Sequence, residues 1–476
     1  MMSRPPLRWW GWALVALLVI APRASQAQAQ AQSAPLTLDE VLGSVEQAHP
    51  GIEVAERKVE QADGKAFAAR GGFDPLLTIR GKWAPVGYYN NGQVDAFVKQ
   101  ATPAWGISLY AGYRVGWGTY PVYKGDLQTL SGGEVRAGIE VPVWRGGPID
   151  SRRAKIQQTR IQRRGAEYDR DATQLQLERQ AARAYWSWVA AGLRLQVARE
   201  LLVIAERRGE ALQEQVDAGA LERIKLVDNR RLVLDRKGKR IAAERKFQEA
   251  SLDLSLFFRD GQRTPVQAGE DRVPDRFPTA VLPDMGPLEG EIDRALRERP
   301  DVAALEQERD AAQVDVRLAR NQRAPEVKLQ TFVARDIGIG PEELGLTEWG
   351  AGIVVEAPLP LRKARGDLRA ARAQVAGVDA KRRGLRDKVG AEIRKSQVAL
   401  LAAQQGIDLA TEQVAAADEL AEAERDRLRE GASDLVVLNL RELAAADAAN
   451  QVIDANADFQ RARADFLTAT GRSPAG

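Results

Sequence analysis

Two rhythms of apolar residues alternate along this chain. In the first, Ile52, Ala55, Val59, Ala62, Ala66 and Ala69 follow steps of 3, 4, 3, 4 and 3. A longer seam through Ala184, Trp188, Ala191, Leu195, Ala198, Leu202 and Ala205 keeps the same alternation. Such spacing holds one narrow stripe against a partner helix, and the many alanines allow close approach. The second rhythm has period two. Leu77, Ile79, Gly81 and Trp83 alternate with Thr78, Arg80 and Lys82. Ile107 to Trp117, Val135 to Val143, Val327 to Thr331 and Trp349 to Val355 repeat the theme. One face is apolar and the other polar and often charged, which suits a membrane barrel with a wet lumen. A half-buried soluble sheet has the same period. Aromatic placement favours the membrane, because six of the eight tyrosines and four of the seven tryptophans after residue 29 fall between 73 and 144. Trp83, Tyr113, Trp117, Trp144 and Trp349 are the expected girdle at the membrane interfaces.

The two rhythms occur twice in the same order. His49-Pro50-Gly51-Ile52 matches Arg299-Pro300-Asp301-Val302 at an offset of 250, which also carries Arg70 onto Arg320 and Pro75 onto Pro325. Later the offset is 212, placing Gly219 on Gly431, Phe247 on Phe459 and Ala250 on Ala462. The chain therefore divides into a first repeat (30–260), a linker rich in proline and glycine (261–287) and a second repeat (288–471), each reading helix, strands, long helix, helix. The long helices, about Asp150–Gln215 and Arg362–Leu428, would each span about 100 Å. The helices before the strands (Thr37–Ala69, Glu289–Arg320) and after the glycine break (Arg223–Phe258, Leu435–Thr470) give about 50–55 Å each. One long helix thus equals two short ones end to end, the geometry of a tube wall.

Two membrane crossings per repeat make four strands per protomer, too few to close a barrel alone, since about eight are the minimum. Association is required. Three copies with twelve strands is one closure, and the strand arithmetic does not separate it from two or four. Ile107–Trp117 is a surplus strand: it belongs either to an extracellular extension, the reading preferred here, or to an extra hairpin with Val94–Gln100.

Composition narrows the function. Residues 1–29 read as a secretory signal peptide: Arg4 and Arg8, an apolar run of 12 from Trp9 to Ile20, then Ala27-Gln28-Ala29 as cleavage site. The formal charge of +3 comes from Arg4, Arg8 and Arg23, so 69 − 3 leaves 66 basic residues against 66 acidic ones. The basic pI therefore says nothing for nucleic acid as a partner. Without cysteine there is no disulfide framework and no lipidated N-terminal Cys. One histidine and three methionines leave few soft metal ligands. No G-x-S-x-G string, P-loop or metal-ligand cluster appears, so the expectation is a protein without catalytic residues or cofactors. His49, before Pro50, is expected at a helix break.

The ordered strings resemble the TolC-like outer-membrane efflux family across the chain after residue 29. Glu140-Val141-Pro142-Val143-Trp144-Arg145-Gly146-Gly147 stands where that family ends a strand in a proline, apolar, aromatic and glycine signature. Val355-Glu356-Ala357-Pro358-Leu359-Pro360 with Arg365-Gly366 is the second copy. The resemblance implies a mainly α fold with membrane β structure: a homotrimer with a twelve-stranded β-barrel continued by a long periplasmic α-helical barrel. It also implies an outer-membrane exit duct, in efflux or type I secretion of small molecules or proteins, that meets a periplasmic adaptor (membrane fusion) protein and an inner-membrane pump. Ala218-Gly219-Ala220 and Glu430-Gly431-Ala432 become the adaptor-facing tip turns. Relatives carry aspartates six and nine positions after the second glycine, where this chain has Val437 and Leu440. Asp434 and Asn439 lie nearby, and Asp228 follows Gly219, so these three are the pore-constriction candidates. A periplasmic coiled-coil adaptor or a structural scaffold is the competing class; neither needs the same strand-and-helix unit twice.

Overall fold

The computed structural model describes residues 34–357 and 359–475, so the signal-peptide reading and Pro358 of the second signature lie outside it. In chain order the first repeat comprises helices α1 (Leu38–Ala48) and α2 (Pro50–Arg70), strands β1 (Leu76–Ala84), β2 (Asn91–Ala101), β3 (Ser108–Gly118) and β4 (Glu134–Pro142), then helices α3 (Ser151–Asp217) and α4 (Arg223–Ser255). The second comprises α5 (Leu288–Glu298), α6 (Pro300–Asn321), β5 (Glu326–Asp336), β6 (Thr347–Glu356), α7 (Arg362–Arg429) and α8 (Leu435–Ala469). Helix starts before the strands are related by 250 residues and the start of α8 to that of α4 by 212.

The helix before each strand set is broken, not continuous over Thr37–Ala69 or Glu289–Arg320. His49 and Arg299 are extended, with ψ of 127° and 128°. Proline disfavours helical geometry in the residue before it, and Pro50 and Pro300 then occupy the first position of a new helix, where the missing N–H costs nothing. The His49 side chain caps that helix, its Nδ1 accepting from the Gly51 N–H at 3.0 Å. The long helices are uninterrupted at 67 and 68 residues, about 100 Å each.

Two apolar cores form where the short helices meet, the first also taking in Ile453 and Ala457 of α8. Val41, Val45, Trp188, Phe247 and Leu254 pack in the first. Ile292, Ala295, Leu400, Phe459 and Phe466 pack in the second. Phe459 repeats Phe247, whereas Trp188 becomes Leu400 and Leu254 becomes Phe466. The large ring has moved across the core with little change in filling, a swap that cores tolerate. In the first repeat the Trp188 indole N–H is satisfied by Ser251 Oγ at 3.1 Å.

All six strands form one antiparallel sheet in chain order. Four strands per protomer was the expectation, and the count is corrected to six. The 107–117 strand has the hairpin partner that the second alternative expected around Val94–Gln100. β3 pairs with β2 over eleven residues, from Asn91↔Gly118 to Ala101↔Ser108, and with β4 from Ser108↔Glu140 to Arg114↔Glu134. β2 escapes period-two reading because Phe97 stands on its polar face while Gly92 and Gln100 stand on its apolar face. Its partners decide its state.

Candidate functional site

The register sorts the sheet into two faces. Leu77, Val98, Ala111, Ala137, Val333 and Trp349 lie side by side on one. Ile79, Trp83, Val94, Leu109, Tyr113, Trp117, Val135, Ile139 and Ile353 share it, and every one of these is exposed. Trp83 is 70% and Trp349 81% exposed. A continuous apolar surface of this extent requires cover by something apolar. Four of the five girdle aromatics stand on it; the fifth, Trp144, follows the end of β4 and is 57% exposed.

The opposite face is polar. Arg80, Asp95, Arg114, Glu134 and Asp336 form one cross-strand row. Arg114 Nε donates to Asp95 at 2.8 Å, and its guanidinium lies 3.7 Å from Glu134. Lys99 pairs with Glu140 across β2, β3 and β4. Rings on this face occupy the space above glycines of the next strand: Phe97 at Gly112, Tyr110 at Gly138, Phe332 at Gly350. The Arg136 guanidinium sits 4.4 Å above the Phe332 ring. Beyond β3, the loop over residues 119–133 folds onto this same face. Its Leu127 carbonyl fills the place a Gly116 side chain would need, and the Thr129 hydroxyl accepts from the Gly116 N–H at 3.0 Å.

Where β4 hands over to α3, the proline-to-glycine string forms a compact joint. Asp150 caps α3 by accepting from the Arg153 N–H at 2.8 Å. Arg153 reaches back to the Gly146 and Gly147 carbonyls at 2.6 and 2.7 Å. The Gly146 N–H donates to Asn321 Oδ1 at 2.8 Å, tying the joint to the second repeat. Trp105, in the β2–β3 turn, lays its ring against Gly147 and donates to the Pro142 carbonyl at 3.0 Å.

At the far end, α3–α4 and α7–α8 turn back through matching motifs. Gly219 and Gly431 have φ of +72° and +76°, left-handed values that glycine adopts without strain. The Ala220 N–H reaches the Gln215 carbonyl and the Ala432 N–H the Arg427 carbonyl, six-to-one closures of the last helical turn. Ala218, Gly219, Ala220, Glu430, Gly431 and Ala432 are all exposed. Asp434 caps α8, accepting from the Val436 and Val437 N–H groups at 2.7 and 3.1 Å. Those bonds, Val437 first, hold its carboxyl below the usual range. Asn439 is half-buried and accepts from Arg208 at 2.5 Å. Asp228 is exposed. The three constriction candidates thus differ: a helix cap, a link between helices, and a free-standing surface carboxylate.

Sequence reasoning missed the group beside them. Glu442 of α8, its side chain 1% exposed, receives Arg208 from α3 and lies 3.0 Å from Arg236 of α4 and 3.8 Å from Arg425 of α7. Arg236, itself 2% exposed, also donates to the Leu201 carbonyl at 2.7 Å. One carboxylate therefore ties four helices. Its signal was a charge interrupting a buried stripe: Leu438, Glu442, Ala446 and, on α4, Asn229, Arg236, Phe247, Leu254.

No group of His, Cys, Asp or Glu among the described residues is placed to hold a metal ion. His49 stacks on Phe257 at 5.7 Å, and burial first, then Arg259, pushes its pKa down. It is a neutral helix cap.

The outer membrane efflux protein family model matches residues 292–472, the second repeat. The outer-membrane channel OprN is 17% identical, with 94% of this chain and 92% of that one covered and a TM-score of 0.64. The CmeC outer membrane channel of Campylobacter jejuni is 14% identical, with 91% and 85% covered and a TM-score of 0.64. The outer membrane protein VceC of Vibrio cholerae is 17% identical, with 92% and 96% covered and a TM-score of 0.63. No curated protein sequence matches significantly. At these identities the solved structures speak for the fold, and the family match speaks for the second repeat. Residues 292–472 thus match the outer membrane efflux protein family, and the whole chain has the fold of these outer-membrane channels.

Proposed function

We propose that this chain is one protomer of a homotrimeric exit duct, the outer-membrane part of a tripartite efflux or type I secretion system. One observation carries the reading: the protomer ends in unpaired edges on both flanks of both layers. Among the described residues, β1 and β6 have no outer neighbour in the sheet. In the helical layer α3 packs between α4 and α8, and α7 packs on α8 and α6, leaving α4 and α7 at opposite margins. Each margin carries an exposed apolar stripe: Ile224, Val227, Leu234, Ile241, Leu252 and Leu256 on α4, and Val398, Leu401, Leu409 and Leu420 on α7. Two unlike margins that both need cover form a head-to-tail contact, which closes as a ring. An edge strand cannot stay open inside a membrane. With an even number of strands, β6 of one copy meets β1 of the next antiparallel, as closure requires.

In this assembly the apolar sheet face meets outer-membrane lipid, and the charged face lines a wet passage. The exposed turns Ala218–Ala220 and Glu430–Ala432 face a periplasmic adaptor, which couples the duct to an energised inner-membrane pump. Asp228, Asp434 and Asn439 lie at the narrowing tip. The passage is passive for small molecules or proteins. The segment before residue 30 directs export. A coiled-coil adaptor or scaffold would leave the apolar sheet face without purpose.

The test is to extract the full-length protein from outer membranes in mild detergent and measure its mass. A heat-modifiable trimer that resists carbonate washing is expected. A stable detergent-solubilised monomer, or a protein released by carbonate, would overturn the reading.

A further inference from the structure

We infer that the β2–β3 hairpin is part of the pore wall, so each copy contributes six strands and the closed barrel has eighteen rather than twelve. This rests on the trimeric reading above for its copy number, while the six strands per copy stand on the protomer itself.

Four observations place the hairpin in the wall. The register runs without a break from β1 through β2 and β3 to β4. The two-faced pattern continues across the inserted strands: Val94, Val98, Leu109, Tyr113 and Trp117 join the apolar face, and Asp95, Lys99 and Arg114 the polar one. Their ion pairs bind the hairpin to β4 through Glu134 and Glu140. At the periplasmic end, Trp105 in the turn is seated on the β4–α3 joint at Pro142 and Gly147. A hairpin that reached into the medium would have none of these anchors.

Width supplies an independent argument. Strands about 4.8 Å apart and tilted about 40° make six of them cover about 38 Å of circumference, and four only about 25 Å. Directly beneath, α2, α3, α6 and α7 stand side by side. Four helices about 9 Å apart span about 36 Å. Six strands therefore match the helical layer they continue, and four would force the tube to narrow. Three copies give a barrel about 36 Å across between backbones, against about 24 Å for twelve strands. Barrels of this strand number hold an aqueous channel. The membrane segment then sets no tighter limit on hydrated, bulky cargo than the helical tube does. Restriction falls to the periplasmic tip and to the loop over 119–133 that lies on the polar face.

Electron cryo-microscopy of the purified full-length oligomer in lipid nanodiscs counts strands and copies separately. Three copies with six strands each are expected. Three copies with four wall strands each, and residues 91–118 outside the wall, would overturn the inference. Two or four copies with six strands each would overturn the eighteen through the copy number, and with it the trimeric reading, while leaving six per copy. Thiol labelling gives a second check, because the chain has no cysteine of its own. In intact outer membranes, Gln93→Cys and Lys99→Cys should react several-fold faster with a charged, water-soluble thiol reagent than Val94→Cys and Val98→Cys. Equal rates at all four positions would place the hairpin in water and sink the proposal.

Discussion

Glu442 shows how much one side chain carries at the tip. It is buried beside three arginines drawn from three helices, with Arg236 as enclosed as itself. Removing one partner of a buried pair strands the other, at a cost of about 3–5 kcal/mol. Glu442→Ala should therefore loosen the α3–α4 and α7–α8 ends, read as faster trypsin cleavage in the tip and a lower melting temperature. His49 makes a different prediction. Burial lowers its folded pKa below the ordinary 6.5, so below about pH 6.5 the unfolded chain binds more protons than the folded one. Stability should fall as pH drops from 7.5 to 5.5 in thermal scans. His49→Asn, which keeps a helix-capping side chain, should flatten that dependence. The position of His49 before Pro50 made the helix break legible in the sequence, and the structure adds its capping role. Glu442 was hidden, because three helices far apart in sequence must converge before its burial exists.

Among elements, the matching helix ends are the most legible feature. Gly219 and Gly431 sit at the same place in each repeat, and both take left-handed backbone. Around each there is open space, so a side chain would meet no obstacle and the cost is conformational, about 1–2 kcal/mol. Gly431→Ala should shift the melting temperature of the protein only slightly, yet raise amide hydrogen exchange over 427–436. The same substitution in α7 at Gly406, a helix interior with open space around it, should be stabilising. Strands were harder to read than turns. Between their end residues, β1, β3 and β4 keep their aliphatic residues on one face, whereas β2 sets the Phe97 ring on its polar face and Gly92 and Gln100 on its apolar one. That ring has a reason: Phe97 covers Gly112 on β3, a cross-strand pairing that no single-strand pattern reveals.

For the whole molecule, assembly is the governing expectation. The α4 and α7 stripes should be energetically important only in the oligomer. Leu234→Glu with Ile241→Glu places two charges on one of them, and size-exclusion chromatography in detergent should show the trimer dissociating while helix content by circular dichroism is retained. A trimer unaffected by both charges would mean that α4 faces something other than a neighbouring copy. The outer face of the sheet should respond to lipid rather than to salt, since its exposed residues are apolar. The polar face, built of charged pairs, carries the salt dependence.

Periodicity and the internal repeat were enough to determine the two tandem units, the long helices, the alternation of sheet faces and the turn glycines. All of these are local: they follow from spacing of 3.6 or 2 and from backbone freedom at single residues. Tertiary structure alone decided the strand count and the Glu442 cluster. Pairing register and burial depend on what lies beside a residue, and neighbours more than a hundred positions away leave no mark on the local pattern.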